Sequence, residues 1–292
     1  MTETKTLTGP AGGLGVLARA ALPAVPVLNQ LPGVRKSGGS FAGLAFERPP
    51  VRIERDEVDA YAAVCGFPRK DTVPVTYPHM LAFGLHMAIM SDPAFPYPAI
   101  GTVHLENQVT SHRPVRVGET LALRTEAGPA RPHPKGRVLD FVTTARAGDE
   151  VVWESVSTYL RRGRGDEDAP FGSTFEEVPA TGTRWRLPGD LGRRYAAVSG
   201  DHNPIHLYPW TAKALGFPRQ IAHGMWTKAR CVAQLENRLP DAVRIEVSFR
   251  KPVLLPGTVA FGSRPAPQGY AFSLTDPRRG SVHLLGRTTA LD

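Results

Sequence analysis

Two segments of this chain are near copies of each other, and that duplication constrains the fold more than any other feature. Tyr61-Ala-Ala-Val-Cys-Gly66 returns as Tyr195-Ala-Ala-Val-Ser-Gly200, 134 residues later. Gln108-Val-Thr-Ser-His-Arg-Pro-Val115 returns as Glu246-Val-Ser-Phe-Arg-Lys-Pro-Val253, 138 residues later. Each Pro-Val is followed by a Gly and a Thr, Gly118 and Thr120 in the first copy and Gly257 and Thr258 in the second. Two landmarks in the same order at nearly the same offset indicate one supersecondary unit used twice.

Each copy has the same grammar. A helical approach ends in the Tyr-Ala-Ala-Val segment. A longer helix follows, expected over Tyr77 to Met90 and over Met225 to Leu239, with Pro93 and Pro240 just beyond the ends. Three strand-like runs then complete each half. Arg244 to Phe249 alternates, with Ile245, Val247 and Phe249 on one face. Val138 to Ala145 and Val151 to Leu160 are rich in β-branched and aromatic residues and are separated by Ala147-Gly148-Asp149, a turn signal. One long helix followed by antiparallel strands predicts an α+β arrangement in which a sheet wraps that helix. Arg162 to Thr183, rich in Gly, Pro, Asp, Glu and Ser, reads as an exposed linker. Residues 1–45, heavy in Gly, Ala and Pro, read as an arm that ties onto the body or stays mobile. The expected organisation is therefore an arm over 1–45, a body over 46–162, a linker over 163–183 and a second body over 184–292.

Composition narrows the function classes. The 292 residues are 41% hydrophobic and 21% charged, ordinary for a globular chain. The most apolar N-terminal stretch, Leu14 to Leu28, is broken by Arg19, Pro23 and Pro26, so no membrane span is expected there. Glu3 and Lys5 precede it and no small-residue cleavage pattern follows, which argues against a secretory signal. Cys65 and Cys231 are too few for a disulfide framework and have no metal-ligand spacing, so a reducing cytoplasm is the simple reading. The net charge of +8 favours phosphate-bearing partners such as an acidic carrier protein or the phosphates of coenzyme A. A solvated basic surface explains it equally well. Nucleic acid is the weakest partner: the basic residues are scattered or paired, as in Arg193-Arg194, without a zinc finger or RNA-binding signature.

The chemistry concentrates in Ser199-Gly200-Asp201-His202-Asn203-Pro204-Ile205-His206 and in Ile221-Ala-His-Gly224. Asn203 is a good N-cap and Pro204 suits the first helical position. That pins Asp201 on the incoming turn and His206 on the first helical turn, with a short helix from Pro209 ending at Gly216. The two side chains could then converge on one water, moving its proton. Taken alone, an Asp-x4-His pair is better explained by a turn former or cap and a hydrogen-bonded histidine on a helix face. His202 is expected to be exposed, and His79, His86, His104, His112, His133 and His283 receive no role. Gly224 also has two readings: close helix packing, or a bare N–H at a helix N-terminus that donates to a developing oxyanion. The apolar stripe of the following helix, Met225, Cys231, Val232 and Leu235, is explained by core packing.

Together with Ala212, Gly216-Phe217 and His223-Gly224-Met225, these residues resemble the MaoC-like family of (R)-specific enoyl-CoA hydratases and 3-hydroxyacyl-thioester dehydratases. Including Tyr77-Pro78 and Glu106-Asn107, the pattern is similar to the double-hotdog dehydratases over most of residues 50–290. The resemblance implies two hotdogs in one chain, each an antiparallel sheet wrapped around a long central helix and paired intramolecularly; whether two chains pair further as a homodimer is left open. It implies Asp201 and His206 as the catalytic pair, Gly224 N–H as the oxyanion donor, Asn203 and Ser199 in support, and no metal or redox cofactor. The substrate it implies is an acyl-CoA or acyl-ACP thioester of fatty-acid or related lipid metabolism, hydrated as the trans-2-enoyl form or dehydrated as the (R)-3-hydroxyacyl form. At an offset of 134, Asp201 falls on Phe67 and His206 on Thr72, and Pro78-His79-Met80 stands where the second half has His223-Gly224-Met225. One active site per chain is therefore expected, with the N-terminal half free to shape an acyl tunnel. A hotdog thioesterase and a non-catalytic acyl-thioester binding module are the competing readings.

Overall fold

A computed structural model describes residues 4–7, 41–99, 101–180 and 182–291. They form two compact units that do not follow the expected contiguous bodies. The first draws on the chain up to Arg52, Pro78–Asn107 and Thr120–Gly172. The second draws on Ile53–Tyr77, Gln108–Glu119 and the chain from Ser173 onward.

In the first unit, β2 (Ala45–Arg52), β4 (Thr120–Ala127), β6 (Gly136–Ala147) and β7 (Glu150–Arg162) are neighbours in that order, with β5 (Arg131–His133) on β6 and β3 (Thr102–Ser111) beside β7. The β2–β4, β4–β6 and β6–β7 pairs are antiparallel. Alternation decides which side faces inward: Leu121, Leu123, Thr125 and Ala127 are buried while Thr120 and Arg124 are exposed. β6 and β7 are joined by Gly148-Asp149, where Gly148 takes the φ of +60° that so tight a hairpin turn demands. The helix α2 (Pro78–Ser91) is apolar all round and buried from Pro78 to Met90, the mark of a central rather than a surface helix. It packs on β2, β4 and β6. Phe83 and Met87 join Phe41, Phe95, Phe141 and Tyr159 in one core cluster.

His86 lies in this core as a satisfied structural histidine. Its Nδ1 is 3.0 Å from Tyr159 Oη and its Nε2 is 3.1 Å from Thr143 Oγ1. Burial pushes its pKa down to about 3, so it stays neutral. Of the expected N-terminal arm, β1 (Thr4–Thr6) pairs in parallel with Ala45–Glu47. Residues 8–40 lie outside the described residues.

The second unit holds both copies of the Tyr-Ala-Ala-Val segment. They end α1 (Arg55–Cys65) and α3 (Leu191–Ser199), which pack on each other with the Tyr61 and Tyr195 ring centroids 6.3 Å apart. Both helices stop in the same way. Gly66 (φ +81°) and Gly200 (φ +73°) are left-handed, and their N–H groups donate to Ala62 O at 2.7 Å and Ala196 O at 2.9 Å. The sheet runs β9 (Val243–Phe249), β12 (Val282–Ala290), β11 (Gly269–Thr275), β10 (Gly257–Ala266) and β8 (Thr183–Leu187), antiparallel throughout. Val243, Ile245 and Val247 point inward as the alternation requires, while Phe249 is only half-buried.

The helix α5 (Gly224–Leu235) packs on β11 and on α1, burying the expected stripe and also Trp226, Thr227 and Lys228. Trp226 Nε1–H donates to Val64 O at 3.0 Å, Thr227 Oγ1–H to Gly224 O at 2.6 Å and Lys228 Nζ to Ile245 O at 3.0 Å, so each of these buried polar groups has a partner. Between the end of β7 at Arg162 and the start of β8 at Thr183, the described residues of the expected linker form no helix or strand but are pinned. Val178 is buried and its N–H donates to Ser273 Oγ at 2.7 Å, and Glu176 is ion-paired with Arg264. No helix among the described residues is long and apolar enough to cross a membrane.

Candidate active site

The site is built on the turn that leaves α3. Gly200 closes the helix, and three side chains then hold the chain in successive tight turns. Asp201 N–H donates to Ser199 Oγ at 3.1 Å, Asn203 N–H to Asp201 Oδ1 at 3.1 Å, and Ile205 N–H to Asn203 Oδ1 at 3.3 Å. Side chains of this length reach the backbone two residues on, which is why Ser, Asp and Asn serve as turn and cap formers. Pro204–His206 follows as one 3-10 turn with Asn203 as its cap and Pro204 at its start. Pro209–Ala214 is the expected short helix (α4), ended by left-handed Gly216. Ser199 and Asn203 thus hold this turn through their side-chain oxygens.

His206 is buried, and its Nδ1 lies 2.8 Å from Ile221 O. A carbonyl only accepts, so Nδ1 carries the proton and Nε2 is left with its lone pair. Gly192 makes this seating possible. A β-carbon there would lie 1.9 Å from the carbonyl oxygen of His206, so the second residue of α3 must be bare for the turn to pack on it. Asp201 keeps a 23% exposed side chain at the edge of the cluster. His202, expected to be exposed, is half-buried.

The structure adds His223, a residue to which sequence reasoning assigns no role. It is 2% exposed, its ring lies 3.7 Å from that of His206 at an interplanar angle of 27°, and its Nε2 is 2.9 Å from Asp201 O and 3.9 Å from Asp201 Oδ2. The available signal was its place between the apolar pair Ile221-Ala222 and Met225, all buried. Burial lowers the pKa of both histidines. For His206 the Asp201 charge and the Ile221 carbonyl oppose that shift, and for His223 the neighbouring His206 adds to it.

One polar atom from each of Asp201, His206 and His223 falls within 4.8 Å of the others, which by composition alone could hold a cation. The geometry does not favour it. His223 Nε2 is spent on the Asp201 carbonyl, and stacked rings send their in-plane lone pairs side by side rather than to one point. A neutral imidazole with a free lone pair beside a carboxylate is instead an arrangement for moving protons.

His223 is the residue before α5, with extended backbone (φ −65°, ψ +138°), and Gly224 is the first residue of that helix. First-turn N–H groups have no acceptor within their own helix and carry its positive end. A β-carbon at Gly224 would touch Phe249 at 3.3 Å, so close packing also favours glycine here.

The first repeat lacks this site for a reason that simple superposition of the sequences misses. Val73 N–H donates to Val115 O at 2.8 Å, as Ala222 N–H donates to Val253 O at 2.9 Å, and Thr72 bridges Arg116 as Ile221 bridges Leu254. The repeat offset is therefore 134 residues at Gly66/Gly200 but 149 at Thr72/Ile221. The second repeat carries fifteen additional residues between these points, which accommodate the His206 turn and α4. By this register the counterpart of His223-Gly224 is Pro74-Val75, not Pro78-His79, and Phe67, buried, still stands at the place of Asp201.

Comparison with known proteins agrees with this picture. Residues 171–263 match the MaoC like domain. The chain is 38% identical to 3-hydroxyacyl-thioester dehydratase X of Mycobacterium tuberculosis over 98% of its own length and 100% of that protein. The crystal structure of HtdX of the same organism superposes with a TM-score of 0.76 at 37% identity, covering 85% of this chain and 100% of that one. A further Mycobacterium tuberculosis protein described as a double hotdog superposes with a TM-score of 0.55 at 16% identity, over 87% of this chain and 99% of that one, a likeness of fold alone. With its duplicated helix-and-sheet units and its Asp-His turn, this chain is a double-hotdog member of the MaoC-like dehydratase family.

Proposed function

We propose that the protein is a hydro-lyase that reversibly hydrates trans-2-enoyl thioesters to (R)-3-hydroxyacyl thioesters, with one active site per chain. The observation that carries this reading is neutral, buried His206, whose Nε2 has no hydrogen-bond partner among the described residues and whose ring brings a nitrogen within 4.8 Å of the Asp201 carboxylate. In hydration, a water held by the pair loses a proton to it as the water oxygen bonds to the β-carbon. The electrons of the double bond move onto the thioester oxygen, where Gly224 N–H meets the growing negative charge. The pair then returns a proton to the α-carbon, which restores the carbonyl and the resting site. Dehydration runs the same steps backward.

The dehydratase activity named for the 38% identical relative supports the reaction class. The net charge of +8 suits either a coenzyme A thioester or an acidic acyl carrier. The buried, unpaired Cys65 and Cys231 fit a cytoplasmic enzyme of fatty-acid or related lipid metabolism. The N-terminal repeat, with Phe67 in place of the acid, serves to shape the acyl tunnel.

Incubation with trans-2-enoyl-CoAs from four carbons to long chain is the test. The expected product is the intact (R)-3-hydroxyacyl thioester, with a preferred length that reports tunnel depth. Free thiol without hydration, or the (S) alcohol, would overturn the assignment.

A further inference from the structure

We infer that His223 is the positioning residue of the acid–base pair, clamping Asp201 through the backbone while its ring forms the surface on which the His206 imidazole lies. This rests on the hydration reading above and assigns a residue to it.

The clamp is directional. Asp201 O accepts from His223 Nε2–H at 2.9 Å, so the bond fixes the main chain of the acid and leaves its carboxylate for the reaction. The same bond fixes the tautomer of His223, as the Ile221 carbonyl fixes that of His206. The stack at 3.7 Å leaves the His206 ring little freedom to tilt, so Nε2 of the base keeps one direction. Two bulky partners hold the clamp itself: Tyr195 at a ring distance of 4.8 Å, and α5, which His223 immediately precedes. One short segment thus fixes the acid, the base and Gly224 together.

Plain core packing does not account for this residue. His86, the structural histidine of the first unit, spends both ring nitrogens on Tyr159 and Thr143. His223 is as deeply buried, yet its Nδ1 has no hydrogen-bond partner among the described residues. An unsatisfied buried acceptor is disfavoured unless the residue is held there for another reason. The titratable groups around the ring are Asp201, His202, His206 and Tyr195. A charge on both stacked imidazoles would be self-repelling, so His223 stays neutral while His206 takes up the transient proton.

Two variants separate the functions of the ring. His223→Phe keeps an aromatic surface and removes the donor, and His223→Gln keeps an N–H donor and removes the ring. Circular dichroism and thermal melts identify which of them are folded. For the folded ones kcat, KM and the pH profile are measured with a trans-2-enoyl-CoA, and long-range 1H–15N spectra of the wild type and variants report the tautomer and titration of His206. The expected result is a kcat lower by about 10- to 100-fold in His223→Phe with KM within about twofold, the loss that sub-ångström misplacement brings. Partial recovery is expected in His223→Gln. The His206 titration should move upward in His223→Gln as water reaches its exposed face, and the wild-type spectrum should show His223 protonated on Nε2 only. Wild-type kcat in both folded variants, an unmoved His206 titration, or a His223 protonated on Nδ1 would overturn the inference. If the wild type shows no hydration, the proposed function fails separately, and the clamp is then decided by the tautomer and the His206 titration alone.

Discussion

Asp201→Asn and His206→Asn should each lower the hydration rate by at least about a hundredfold while leaving the fold in place. Positioned acid–base groups contribute about 10²- to 10⁴-fold, and neither variant can accept and return the proton of water. Both preserve the scaffold. The amide oxygen introduced by Asp201→Asn can still accept from Asn203 N–H, which lies 3.1 Å from Asp201 Oδ1. In the same way, an amide nitrogen at the place of His206 Nδ1 can still donate to Ile221 O, which lies 2.8 Å away. The double variant should lose little more than either single one, because two groups that act on one water are not additive. Steady-state kinetics with melts on all three proteins checks this. Independent, multiplying losses would mean that the two residues serve different steps.

Gly192→Ala should be damaging despite lying outside the reaction. By helix propensity alone alanine in α3 would gain up to about 1 kcal/mol over glycine. The β-carbon, however, would sit 1.9 Å from the His206 carbonyl oxygen, a backbone atom that cannot rotate away. Overpacking of this kind costs about 1–3 kcal/mol, so the clash outweighs the propensity. The chain relieves it by pushing the Pro204–His206 turn off α3, and a shift of about 1 Å at the base is worth on the order of a hundredfold in rate. Gly163→Ala is the control. No described atom lies within 4 Å of a β-carbon there, and stability should stay within about 0.5 kcal/mol of wild type. Melting temperatures and kcat for the two variants decide the matter, and a Gly192→Ala protein as stable and active as wild type would contradict the seating described here.

Features written in local sequence were legible before the structure. The two glycine-capped helices, the Gly148 hairpin, the Asn203–Pro204 turn and the short helix to Gly216 all depend on the residue types at one place in the chain. The apolar helix from Pro78 was legible for the same reason, since a helix with no polar face has to be central. What local sequence does not encode is which distant segment arrives beside it. His223 stands seventeen residues beyond His206, and long-range bonds fold it back onto the pair, among them Ile221 N–H to Ile205 O at 3.1 Å and His206 Nδ1–H to Ile221 O at 2.8 Å. The fifteen additional residues of the second repeat were hidden because a fixed offset absorbs an insertion by misaligning every residue beyond it. The grouping of residues 53–77 with the C-terminal sheet was hidden likewise: Trp226 finds its partner at Val64, on a helix from the other copy. The pinned stretch near Val178 reads as linker by composition, and one buried valine among polar neighbours carries too little periodicity to say otherwise.

The most direct test of the account is the fate of oxygen from solvent. A trans-2-enoyl-CoA is turned over in 18O-labelled water and the products are read by mass spectrometry. A hydro-lyase acting through Asp201 and His206 places one label on the β-carbon of an intact 3-hydroxyacyl thioester, and the Asp201→Asn protein places almost none. Label in a free carboxylate, with the thiol released, would contradict the account and assign the same residues to thioester hydrolysis.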